Sequence, residues 1–217
     1  MSQIIDQPEE WPVTRREVQA SGRVQSFIAD QIDTPAGESI CRQWVGHTGA
    51  VAVMAMDEQG RIAVVHQYRH PVGFRLVEPP AGILDIDGEP AVEAAKRELA
   101  EEAQLAAGRW DTLIDFFTSP GGLQESIRIF LARDLSAAPL PDGFEVVGEE
   151  IDMGLHWLGL DEIIEGIYAG ELQSPTLVAG ALALKLASET GRLAQLRPAD
   201  APWPARAAKK RRDQEFG

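Results

Sequence analysis

Two apolar runs lie almost back to back in this chain, "GAVAVMAM" over 49–56 and "IAVVHQYR" over 62–69, with only the turn-forming "DEQGR" between them. Successive strand side chains point to opposite faces, so a run that is apolar at every position needs both faces covered. The pattern predicts two buried strands joined by a hairpin, in a sheet covered by helices. "WDTLIDFF", "SIRIFLARDL" and "MGLHWLGL" read as further strands, and a strand in "FRLVEPPAGILD" must give way to a loop at its prolines. Pro90 suits a first helical turn, and Val92, Ala95, Leu99 and Ala103 recur at the spacing of one helix face turned to a core. Two more helices are predicted at about 161–170 and 175–190. Upstream, short apolar runs between Val18 and Val45 flank "DTPAGES" and read as one or two hairpins. The expected class is α/β of the α+β kind: a mixed sheet with helices, plus a small N-terminal antiparallel β subdomain. The expected segments are a polar leader and β subdomain at 1–45, a main domain at 46–195 and a surface tail at 196–217.

Bulk composition narrows the function classes. A net charge of −14 argues against a nucleic-acid surface, which needs cations to displace phosphate counterions. The short basic "AKKRRD" near the end reads as a solvated tail. Cys41 is the sole cysteine, which rules out an intrachain disulfide and fits a reducing cytoplasm. The acidic start lacks the apolar run of a signal peptide, and "TLVAGALALKLA" is too short and carries Lys185, so no membrane span is expected.

The chemistry concentrates in "KRELAEEAQL", residues 96–105. On a helix, Glu98, Glu101 and Glu102 stand three and four residues apart and project together. In water like charges so placed repel by a few tenths of a kcal/mol per pair. A hard divalent cation turns that repulsion into binding. Solvated Glu-rich helices are common, and these residues alone leave both readings open.

The longer segment "GILDIDGEPAVEAAKRELAEEAQL", from Gly82, resembles the Nudix box. Glu89 is followed by seven residues and then by Arg97-Glu98-Leu99-Ala100-Glu101-Glu102, matching the box position by position. Two departures are visible: the loop from Gly82 to Glu89 is one residue longer than usual, and Gln104 stands where a second glycine is usual. The resemblance implies a Nudix-type α/β/α sandwich and hydrolysis of a diphosphate with divalent metal, Mg²⁺ or Mn²⁺. It implies Glu98, Glu102 and the backbone carbonyl of Ala81 as metal ligands, with Glu101 assisting and Arg97 holding the carboxylates in place. Glu89 is left as either a water-mediated ligand or a helix-start residue.

"HQYRHPVGFRLVEPPAGILD", and Pro120 in "TSPGGLQES" fifteen residues past Leu105, are similar to one group in that family, the bacterial ADP-ribose pyrophosphatases. That similarity implies ADP-ribose as the small-molecule substrate, cut to AMP and ribose 5-phosphate. It implies substrate contacts from Arg69, the backbone around Ile83, Ser119 and Glu125. It places a general base, also counted among the metal ligands, in the loop "VVGEEIDM", at Glu150 with Glu149 second. Phe27 and Trp44 are candidate aromatic faces for adenine. A homodimer is implied, in which the N-terminal β subdomain is exchanged between protomers. The rivals are a Nudix enzyme for another nucleotide sugar or dinucleotide, and a non-catalytic ADP-ribose-binding regulator.

Overall fold

The structure, a computed structural model, describes residues 4–140 and 153–216, with the backbone alone beyond residue 210. The chain divides into two compact units.

The first unit holds residues up to Gly49, the segment Phe117–Ser126 and the chain from Pro202. Residues 4–12 carry no regular structure, as the polar leader suggests. Strands β1 (Val13–Ser21), β2 (Gln25–Asp33) and β3 (Ser39–His47) then form an antiparallel meander in that order. Two hairpins are present where one or two were expected, the second turning on the "DTPAGES" cluster, where the Thr34 N–H donates to the Glu38 carbonyl at 2.8 Å. The segment 118–125 is stitched to β3 by two backbone bonds: Val45 N–H to Gly122 O at 2.8 Å, and Gln124 N–H to Val45 O at 2.9 Å.

The second unit carries β4 (Ala50–Ala55), β5 (Arg61–Arg69), β6 (Phe74–Glu78), β7 (Ala81–Ile83), α1 (Ala91–Ala103), β8 (Leu105–Phe117), β9 (Ser126–Ala137), β10 (Gly154–Gly159), α2 (Leu160–Tyr168), α3 (Pro175–Glu189) and the short β11 (Arg197–Pro198). Five strands run in the order β11-β8-β9-β4-β7, with β4 parallel to β9 and antiparallel to β7. Three form a second sheet, β10-β5-β6, antiparallel throughout.

The expected hairpin of β4 with β5 is corrected here. Asp57 and Arg61 close a tight turn, and Met56 opposes Ile62, but the strands then part into different sheets. Both edges of β4 are taken by β9 and β7, and both edges of β5 by β6 and β10, so neither offers an edge to the other. Double-sided burial itself is as predicted: Val51, Ala52, Val53, Met54 and Ala55 are wholly buried. Ala52, Met54, Ile62, Val64, Ile129 and Leu131 meet Ile163 of α2 and Leu177, Ala181 and Leu184 of α3 in one core. α1 packs on β4, β5 and β7. α3 comes so close to β4 that a Cβ on Gly180 would lie 2.8 Å from the Met54 sulfur.

α1 starts after Pro90, at φ −63°, with Glu93 in its first turn. Ala94, Ala95, Leu99 and Ala103 are its buried residues, while the predicted Val92 is half-buried. Burying Leu99 contributes about 2 kcal/mol. The helix ends at Gln104, which takes the left-handed conformation (φ 52°, ψ 40°) that a glycine usually supplies, its N–H returning to the Ala100 carbonyl.

The tail expectation also needs correction: Pro204–Phe216 is a helix, α4, in the first unit. Pro204 opens it, and the alanines, arginines and lysines that follow are strong helix formers. No helix among the described residues is long and apolar enough to cross a membrane.

Candidate active site

In the second unit, two prolines after β6 end one sheet's strand and deliver the chain to β7 on the other. Val53 N–H donates to the Pro80 carbonyl at 2.8 Å, and Ala81, Gly82 and Ile83 then pair with Ala52, Val51 and Ala50. α1 lies against this short strand. Glu102 accepts the Ala81 N–H at 2.9 Å, which ties the last turn of α1 to the start of β7. One helical turn earlier, Glu98 lies over Gly82. A Cβ there would stand 1.9 Å from the Glu98 carboxyl carbon, so the carboxylate occupies space that only glycine leaves open.

Arg97 organises the acids. Its Nη1 donates to Glu98 at 2.6 Å and to Glu101 at 3.1 Å, and its Nε and Nη2 each reach Glu89 at 3.3 Å. Glu89, Glu98 and Glu101 are all largely buried beside it. The arginine is held more firmly protonated than usual by Glu89 and Glu98, against the opposing pull of burial. Glu98 nonetheless sits above the ordinary carboxylate range. Burial is the chief cause, Glu101 and Asp85 add to it, and Arg97 offsets only part.

A carboxylate left short of positive charge among other acids suits a hard cation. The donor set, carboxylate oxygens and backbone carbonyls with no thiolate, fits Mg²⁺ or Mn²⁺ chemistry. Among the described residues no three His, Cys, Asp or Glu side chains converge as a metal cage. Arg97 and the Ala81 N–H hold the oxygens instead.

The structure therefore gathers Ala81, Glu98, Glu101 and Glu102 at one α1–β7 contact, with Ile83 two residues along β7. Glu89, left between two roles by its sequence, is an Arg97 partner preceding the helix. Arg69, from β5, pairs with Glu78 through Nε at 2.9 Å and Nη2 at 2.7 Å. Glu78 is buried and also accepts from Ser174 Oγ at 3.3 Å. That acid escaped sequence reasoning, because nothing in "LVEPP" signals that the glutamate turns inward. Glu149 and Glu150 lie outside the described residues.

Ser119 and Glu125 belong to the first unit. The Ser119 carbonyl accepts the N–H groups of Gly122 and Leu123, closing the Pro-Gly-Gly turn. Glu125 accepts from Thr118 Oγ1 at 2.7 Å and lies 3.4 Å from Nδ1 of the buried His47. Of the two aromatic candidates, Phe27 is 40% exposed on β2. Trp44 lines a cleft of about 560 Å³ formed wholly within this unit, with Phe117, Gln124 and the 120–122 turn among its walls.

Residues 46–177 match the NUDIX domain family. The chain is 42% identical over 183 residues to an ADP-ribose pyrophosphatase of Mycobacterium tuberculosis, covering 84% of this chain and 86% of that protein. It is 40% identical over 116 residues to an ADP-ribose pyrophosphatase of Bacillus subtilis, covering 54% and 62% of the two chains. A methanol dehydrogenase activator of Bacillus methanolicus is 38% identical over 68% of this chain and 77% of its own. In fold, the chain resembles the crystal structure of an ADP compounds hydrolase, with a TM-score of 0.69 and 18% identity over 87% of this chain and 100% of that one.

Proposed function

The chain belongs to the NUDIX family, and we propose that it is a divalent-metal-dependent pyrophosphatase that hydrolyses ADP-ribose to AMP and ribose 5-phosphate. One observation carries the chemistry: the largely buried Glu98 side chain lies on α1 against the bare backbone of Gly82, flanked by Glu101 and Glu102, inside the matched segment. The substrate follows from the relatives named for ADP-ribose.

Glu98, Glu102 and the Ala81 carbonyl would hold Mg²⁺, with Glu150 joining them. Bound there, the ion would supply charge neutralisation for the diphosphate and a fixed direction for the water. Arg97 holds Glu89, Glu98 and Glu101 in place. Water bonds to one phosphorus, the P–O bond of the anhydride breaks, and Glu150 accepts the water's proton, with Glu149 as the second candidate. Arg69, its Nε and Nη2 held by Glu78, offers its remaining N–H groups to phosphate or terminal-ribose oxygens, and the Ile83 backbone, Ser119 and Glu125 hold the ribose-phosphate end. Trp44 offers adenine a face. The working form is a cytoplasmic homodimer that binds neither nucleic acid nor membrane, organised as segments 1–45, 46–195 and 196–217.

Side-by-side turnover of ADP-ribose, GDP-mannose, NADH and a diadenosine polyphosphate, with and without Mg²⁺, tests this reading. ADP-ribose should give the highest kcat/KM, with AMP and ribose 5-phosphate as products and no turnover without metal. A higher kcat/KM for any of the others removes the substrate assignment. Absence of phosphoanhydride cleavage in all four removes the activity. For the base, Glu150→Gln should lower kcat with little change in KM; the same loss in Glu149→Gln alone would move the role to Glu149.

A further inference from the structure

Gln124 lines the cleft in the first unit, and its side-chain amide carries a polar atom with nothing to bond among the described residues. That atom is the buried Nε2, which has no hydrogen-bond partner among them. Native proteins seldom leave such a donor unpaired, since its desolvation goes uncompensated. Its place is fixed by the backbone bond from the Gln124 N–H to the Val45 carbonyl, one residue from Trp44 on β3.

The surrounding walls are built and flat. Trp44 Nε1 donates to Asp30 Oδ2 at 2.9 Å, and Arg16 binds both oxygens of Asp30 at 2.7 Å, its guanidinium carbon 5.3 Å from the Trp44 ring centroid. Asp30 is almost wholly buried, so the indole is held by a charge-assisted pair rather than by a surface contact. Phe117 adds a second aromatic side chain. Gly121 and Gly122 line the cleft too, and a Cβ added to either would meet no atom within 4 Å. A volume of about 560 Å³ takes a fused heterocycle with its sugar.

We propose that Gln124 reads the nucleobase of the substrate, donating its Nε2–H to an unprotonated ring nitrogen of a purine stacked on Trp44. An apolar ring with no acceptor would leave the amide unpaired. A base with a ring N–H at the same edge would oppose it donor to donor, and sites that pair a buried polar group discriminate most strongly against ligands that cannot answer it. The assignment rests on the ADP-ribose reading only for the choice of purine.

The test uses the full-length protein without added metal and adenosine as the probe, because adenosine has no phosphate to engage the acidic site. Binding is followed through the Trp44 indole N–H resonance, identified by its loss in Trp44→Phe. Gln124→Met, close in shape but lacking the donor, should weaken adenosine binding about tenfold. Its melting temperature should match or exceed the parent's, because the unpaired amide is gone. Of 1-deaza-, 3-deaza- and 7-deazaadenosine, one should bind the parent about tenfold more weakly than adenosine and bind Gln124→Met no more weakly than adenosine does. Equal adenosine affinity in parent and Gln124→Met overturns the assignment. So does equal binding of all three deaza compounds by the parent, or no response of the Trp44 resonance to adenosine. A parent that binds adenosine through Gln124 yet does not cleave ADP-ribose would refute the substrate reading and leave this one standing.

Discussion

Gly82 on β7 and Glu98 on α1 share one space: a methyl group on the glycine would lie 1.9 Å from the Glu98 carboxyl carbon and 2.0 and 2.5 Å from its oxygens. The atoms in conflict are the end of a flexible side chain, so Gly82→Ala should fold and displace the carboxylate. We expect kcat/KM to fall by about two orders of magnitude, with metal affinity falling in parallel. Metal titration of activity and of melting temperature measures both. An alanine variant with the parent's metal affinity would show that Glu98 is not a ligand.

Glu98→Gln and Glu102→Gln test the ligands directly. Glutamine keeps an oxygen for the Ala81 N–H that Glu102 accepts, so α1 should stay docked on β7. Each variant should lose at least about a hundredfold in kcat/KM at low Mg²⁺, regained in part at high Mg²⁺. Circular dichroism should be unchanged. Near-normal turnover of either variant at low Mg²⁺ would remove that residue from the metal site.

Arg97 bonds to three carboxylates at once, which makes it a substitute for the cation as much as a neighbour of it. Arg97→Met should destabilise the metal-free protein by about 1–3 kcal/mol, because Glu89, Glu98 and Glu101 are left facing one another. Mg²⁺ should then raise the melting temperature more in the variant than in the parent. Denaturant unfolding with and without Mg²⁺ checks this, and an equal metal increment in both proteins would contradict it.

These acids were legible because helical spacing is local: residues three and four apart must share a face whatever the rest of the chain does. The partners of β4 and β5 were not. An all-apolar strand reveals that both faces are buried and nothing about which strands fill its edges, and proximity along the chain misled the pairing. The helix at Pro204–Phe216 was hidden by the prolines around its start, although its alanines and cations favour helix. Glu78, His47 and Asp30 were invisible for another reason. Their burial comes from partners such as Arg69, Glu125 and Arg16, and long-range pairing leaves no periodic mark in one sequence.

His47 gives a prediction in pH. Its Nδ1 accepts the Gly49 N–H at 3.1 Å, which requires a neutral ring with that nitrogen unprotonated, while Glu125 Oε1 stands 3.4 Å from the same atom. Burial is the main influence and lowers its pKa; Glu125 opposes that, and Lys209 from α4 reinforces it. The folded value therefore lies below 6.5, the value in the unfolded chain. As pH falls below about 6.5 the unfolded chain takes up a proton that the folded one refuses, so stability declines, by at most about 1.4 kcal/mol per pH unit from this one group. The decline ends only below the folded pKa, and above 6.5 His47 contributes no slope. His47→Asn cannot titrate, yet its Oδ1 can accept the Gly49 N–H, so the variant should match the parent at pH 8 and lose less stability between pH 6.5 and 5. Denaturant unfolding at half-unit intervals measures the two slopes; identical slopes would assign the acid sensitivity to other groups.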